Sequence, residues 1–305
     1  MTNESPVRIL IARRPHPTES SAEEFAAWFA RTSPAVIRTI TVLPSIWPSG
    51  APDELGEDYQ RWIRKETKKC ERAALEALKE ARVPDDSLDA TPFEFVTAAS
   101  ETDALSAAAT EFNATIVLLG SHASAPEGRF VAGSTADALL HCAPVSLGLA
   151  PRDLRASKKG VTRVNCAYVD TEQSQEALRK ACDYAHRWDV PLRLVAFTPH
   201  GPSMYPTETP YKHAKEATRQ WRDQAQSILE RGQERALARF DDLRVDLAIG
   251  SGEDWENSIT DLDWKKGDLL IVGSSTLGVF GHTFLGSSTN QIVRNSPVPT
   301  VIVPV

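Results

Sequence analysis

Nowhere does this chain offer the roughly 20 consecutive apolar residues that would cross a bilayer. Its opening MTNESPVRILIARRP also lacks the charged-then-apolar pattern of a secretory signal. A soluble, cytoplasmic protein with no membrane partner is expected. Cysteine is scarce: Cys70, Cys142, Cys166 and Cys182 are widely spaced, with no CxxC pair. Such spacing excludes a disulfide framework and the common zinc motifs, and buried apolar thiols in a reducing compartment are expected. Basic charge is not in surplus either. With a net charge of −7 and a pI near 5.6, the chain lacks the wide positive surface that phosphate backbones select, so nucleic acid is not an expected partner. The GxxxxGK[ST] sequence of a P-loop is absent, and with it the lysine that reaches terminal phosphates. No Ser-His-Asp set or metal-ligand cluster assembles from the sequence, and no catalytic residue is assigned.

What is present is a repeated pattern. Residues 268–305 hold a short apolar run, Leu269–Val272, ending at Gly273. A loop with Gly278 and Gly281 follows, then Gly286-Ser287-Ser288-Thr289 opening a helix, then a Pro-flanked apolar run, Val298–Val303. Small residues at a helix start let main-chain N–H groups and hydroxyls approach an anion. Residues 115–151 show the same arrangement without a gap. Gly120 and Gly133 are thirteen apart, as are Gly273 and Gly286, and an offset of 153 relates both glycines and the prolines 144 and 297. The chain is an internal duplication, dividing into residues 1–153 and 160–305 around the basic connector Arg152–Lys159.

Each half reads as strands alternating with helices. In the first, strands are expected at Val7–Ala12, Ala35–Leu43, Phe93–Thr97, Ile116–Leu119 and Val145–Leu149. In the second, they are expected at Val164–Val169, Leu192–Thr198, Val245–Ile249, Leu269–Val272 and Val298–Val303. Helices fall between them, including Glu101–Phe112 opened by Ser100 and Ser174–Trp188. The Arg and Lys run from Arg61 to Lys69 is balanced by nearby acids and reads as a solvated helix face. The alternation implies an α/β fold with mainly parallel sheets covered on both faces. Residues 199–211, with four prolines and two tyrosines, suggest a partly rigid flap.

In open doubly wound sheets, ligands lie outside the carboxyl ends of the strands where strand order reverses. In the second half Asp170 follows the first strand and Gly273 ends the fourth, so a carboxylate able to accept from ribose hydroxyls faces a loop suited to phosphates. In the first half Arg13-Arg14 stands at the strand end and Glu127 lies in the glycine loop; an arginine cannot accept from a ribose and a carboxylate repels phosphate. Only the second half is expected to carry a site.

The doubled strand, glycine loop, Gly-Ser, helix and strand pattern resembles the universal stress protein family in its tandem form, over nearly the whole chain. The resemblance implies two doubly wound parallel five-stranded sheets, each of order 3-2-1-4-5, and ATP, with magnesium, as a ligand. The family's motif is Gly, two residues, Gly, nine residues, Gly, then Ser or Thr; Thr276 and Ala123 stand where its middle glycine would be. Carried over to this chain, Asp170 would meet ribose and adenine, Phe197 the adenine through its main chain, and Val272 and Gly273 the nucleoside. Thr276 would lie in the loop, and Gly286, Ser287 and Ser288 would meet the phosphates. The resemblance also implies pairing of the two fifth strands as an intramolecular pseudo-dimer, with further homo-oligomerisation open. Two roles remain in play: a stress-response protein using a nucleotide as a regulatory or assembly signal, or a scaffold of the same fold with both sites lost. As an enzyme it would be at most a weak ATPase.

Overall fold

The computed structural model describes residues 5–17, 19–45, 56–200, 214–274 and 287–304. The first half runs β1 (Val7–Ala12), α1 (Ser21–Thr32), β2 (Ala35–Pro44), α2 (Gly56–Glu80), β3 (Leu88–Ala98), α3 (Glu101–Glu111), β4 (Ile116–Gly120), α4 (Ser134–Cys142) and β5 (Ser146–Ala150). The second repeats it with β6 (Arg163–Ala167), α5 (Glu172–Arg187), β7 (Leu192–Pro199), α6 (Ala214–Arg239), β8 (Val245–Gly252), α7 (Trp255–Thr260), β9 (Asp268–Gly273), α8 (Ser287–Asn295) and β10 (Thr300–Val303).

All ten strands lie in one sheet of order β3-β2-β1-β4-β5-β10-β9-β6-β7-β8. Each half therefore has the 3-2-1-4-5 order. The pairings are parallel except at the centre, where β10 meets β5 antiparallel with Val301 opposite Gly148. The two five-stranded units are thus halves of one continuous sheet. Because the apolar strand residues alternate between faces, each face has its own core. One core packs Ile9, Ile116, Val164 and Ile271 under α1, α2, α5 and α6. The other packs Leu10, Val117, Leu270 and Ile302 under α3, α4, α7 and α8. Both cores run across the junction. There Phe29 of α1 stands edge-on to Trp188, which caps the end of α5, with ring centroids 5.6 Å apart, and Trp188 stacks on Tyr184 at 4.4 Å.

Several boundaries move for local reasons. The third strand starts at Leu88 rather than Phe93, because the ladder to β2 continues past an irregularity between Ile37 and Thr39; Pro92, which has no N–H to give, falls in that interruption. The sixth strand stops at Ala167, since Asp170 takes a positive φ of 59° and the chain turns. Helix α5 begins earlier than Ser174, because Thr171 caps it in a reciprocal box with Ser174. Ser100 caps α3 by accepting from the Asp103 N–H at 3.2 Å. Cys70, Cys166 and Cys182 are buried, but Cys142 is exposed on the outer side of α4, which corrects the expectation of four buried thiols. No described helix is long and apolar enough to cross a membrane.

The connector is not a free tether. The Leu154 N–H donates to Ser21 Oγ, the Val161 N–H to Thr32 Oγ1, and Arg31 to the Ser157 carbonyl, so the chain after β5 is fastened along α1. Gly160, with φ +70°, passes so close to the Trp28 carbonyl that any Cβ would collide with it.

Candidate nucleotide-binding crevice

The second-half crevice is a cavity of about 270 Å³ at the carboxyl ends of β6, β7 and β9. Its walls include Phe197, Val272, Gly273 and Ser288 among the residues expected from sequence, together with Tyr168, Trp255 and Ile292. Phe197 ends up there because it lies near the end of β7, beside β8 residue Gly250. Val272 is buried in the parallel β9–β10 ladder. The start of α8 is drawn to the end of β9 by a Thr289 hydroxyl donated to the Gly273 carbonyl at 3.3 Å. Gly273 itself is explained by packing: a Cβ there would strike the Gln173 carbonyl at the start of α5. Ser287 is exposed at the first position of α8 and does not line the cavity. Thr276 and Gly286 lie outside the described residues, as do Gly278, Gly281 and most of the proline-rich segment 199–211.

Asp170 departs from its expected place. It is not part of the cavity wall. Its Oδ2 accepts from Arg231 Nε at 3.1 Å, and its Oδ1 accepts from the Tyr168 hydroxyl at 3.0 Å and from Arg235. The hydrogen bonds from Arg235, then Arg231, hold the carboxyl well below the usual carboxylate range. The acid foreseen as a ribose acceptor therefore spends both oxygens on α6. Trp255 and Tyr168 were missed as wall residues. Trp255 is set by Asp254, which caps α7 by accepting from the Asn257 N–H at 2.7 Å, and a Ser-Gly-Glu-Asp-Trp run after a strand was the available signal.

The ladders identify the counterpart site. Ile9 pairs with Ile116 as Val164 pairs with Leu269, so Arg13 is the counterpart of Tyr168 and Pro15 that of Asp170. In the first half the equivalent space is divided, with an inner cavity of about 100 Å³ at Leu119 and Gly120 and an outer groove that takes in Val42, the counterpart of Phe197. Arg13 and Glu23 form a buried ion pair beside the inner cavity, and burial, opposed by Arg13, pushes the Glu23 carboxyl up. A Cβ on Gly120 would lie 2.8 Å from Glu19 Oε1. The outer groove, of about 640 Å³, crosses the start of α4, lined by Arg14, His122 and Gly133 among others. Glu127 does not act there, contrary to expectation; it is exposed and faces Arg155 at 4.0 Å. The acids that do line the first-half cavity are Glu19, Glu23 and Glu101. Among the described residues no group of three or more His, Cys, Asp or Glu is placed to hold a metal.

Comparison with known proteins accords with this duplicated architecture. The family model described as the universal stress protein family matches residues 7–150 and again 160–304. Universal stress proteins from Mycobacterium tuberculosis and Mycobacterium bovis are each 29% identical over 284 residues, covering 93% of this chain and 95% of theirs. Among solved structures, a universal stress protein from Archaeoglobus fulgidus superposes with a TM-score of 0.64 at 16% identity, covering 97% of this chain and 98% of that one. A Pseudomonas aeruginosa protein of unknown function gives 0.56 at 11% identity, covering 98% and 93%. At such identities the structural likeness concerns the fold.

Proposed function

Because the chain belongs to the universal stress protein family, with the family unit present twice, we propose that its second half binds an adenine nucleotide, ATP in the first instance, as a regulatory or assembly signal. The observation that carries this reading is the difference between the two counterpart cavities. One is a single space of about 270 Å³ with Phe197, Val272 and Trp255 in its walls; the other is divided into an inner cavity of about 100 Å³ bordered by an internal ion pair and an outer groove of about 640 Å³ with Val42 in the place of Phe197 and with Arg14 beside it. The second-half crevice lies just under the roughly 300 Å³ where small-molecule sites begin, which suits a nucleoside with its phosphates directed outward over the start of α8. There Ser288 and the first N–H groups of the helix favour an anion. Magnesium enters this reading as a companion of the phosphates.

With both Asp170 oxygens engaged by α6, recognition in this reading rests on the apolar walls and the helix start rather than on the ribose acid. Titration calorimetry with ATP is expected to give a saturable one-to-one isotherm. Ser288→Glu, on the half-exposed first turn of α8, is expected to weaken it by at least about tenfold through repulsion of the phosphates. The engagement of Asp170 also favours a second reading, a scaffold of the same fold that binds no nucleotide. Absence of heat at millimolar ATP would leave that reading standing alone.

A further inference from the structure

A second cavity, larger than the crevice, is a cleft of about 850 Å³ between the halves, within the size range of small-molecule sites. The antiparallel β5–β10 junction sets the carboxyl edge of the first half beside the amino edge of the second. The cleft lies at that edge, walled by the segments before β9 and β10 and by the start of the connector. It is therefore separate from the crevice, which lies at the opposite edge of the second half.

Its walls are stiff and largely apolar. Pro126, Pro151, Pro297 and Pro299 contribute from three different loops, and the Trp264 indole contributes aromatic surface, with the buried Trp28 behind. The charged groups around it mostly neutralise one another. Arg129 pairs with Glu256 across the halves at 3.3 Å, Arg155 with Glu127 at 4.0 Å, Lys265 with Asp263 at 3.4 Å, and Asp153 with Arg152 at 3.3 Å.

One wall cation is left over: Lys266 is exposed and has no ion pair among the described residues. Its segment is held in place, since the Lys266 carbonyl accepts from the Thr162 hydroxyl at 3.1 Å, while Gly160, two residues earlier, lies against the carbonyl of the buried Trp28. An unmatched cation beside apolar walls asks for an anion with an apolar body.

We infer that the inter-half cleft is a second ligand site, for a small organic anion with a planar apolar body, such as an aromatic carboxylate or sulfonate. The ring packs against the proline and Trp264 walls, and the anionic group pairs with Lys266. This site does not depend on the nucleotide reading. Anilinonaphthalene sulfonate, an aromatic sulfonate whose fluorescence rises in apolar sites, tests it on the full native chain. Saturable one-to-one binding is expected, with energy transfer from tryptophan and no displacement by excess ATP. Lys266→Glu, at an exposed position, is expected to weaken binding by about tenfold or more while leaving the urea midpoint unchanged. Non-saturable binding, displacement by ATP, or an affinity unchanged in Lys266→Glu would each overturn the proposal.

Discussion

At Asp170 one carboxylate serves two guanidiniums and a phenol, and this small cluster ties the end of β6 to α6. Its folded pKa lies below the ordinary carboxylate value, chiefly through the hydrogen bonds from Arg235 and Arg231. The stability it contributes is therefore fully present above the unfolded pKa and is lost as pH falls through the folded one. Asp170→Asn is expected to lower the urea midpoint at pH 7, and the gap from the wild type is expected to close as pH falls below about 4. A gap independent of pH would mean that the charge of Asp170 is not what matters. The residue's identity was legible in the sequence, since an acid after an apolar strand is a strong signal. Its direction was not. Arg231 and Arg235 lie some sixty positions away, in a helix whose exposed face carries many arginines, and no spacing singles out two of them. The same limit hid Glu19 and Glu23, which border the first-half cavity from α1 and the loop before it, while Glu127 in the glycine loop drew attention and turned out to face Arg155.

Periodicity and caps make the helices legible, most sharply where a single residue settles the end, as Ser100 does for α3. What periodicity does not convey is how near a helix lies to the sheet. Gly232 sits within α6, where glycine costs about 1 kcal/mol relative to alanine, so propensity alone recommends Gly232→Ala. The packing reverses that advice. A Cβ at 232 would lie 2.8 Å from two atoms of the buried Tyr168 ring and 2.9 Å from Leu194 Cδ1. Overpacking of this kind costs about 1–3 kcal/mol, and the substitution is expected to destabilise on balance. Urea unfolding measures the sign directly; a more stable Gly232→Ala variant would show that Tyr168 moves aside at little cost. Because Tyr168 lines the crevice, the same substitution tests whether the position of α6 shapes that wall.

For the whole molecule, the constant offset between the two glycine pairs made the duplication readable, and the β-α alternation made each half readable. The continuity of the two cores was legible only through the pairing of the two fifth strands that the family resemblance implies, because nothing in an apolar strand by itself says which strand lies beside it. Thr300, Val301 and Ile302 pair with Leu149, Gly148 and Leu147, and a Cβ on Gly148 would collide with Leu118, so the central junction is as closely packed as the interior of either half. Phe29, Tyr184 and Trp188 extend the contact beyond the sheet, and Arg31 and Thr32 hold the connector to α1. Two units joined only by a tether open independently, and the amides at their boundary then exchange faster than those in either centre. A shared sheet with cores on both faces predicts the reverse. Native-state hydrogen exchange is expected to place the hydrogen-bonded amides of residues 147–149 and 300–302 in the slowest class, together with those of β1 and β6, and calorimetry is expected to show a single transition. Faster exchange at the junction than in β1 and β6 would mean that the halves part before they unfold, and that the cleft beside the junction opens with them.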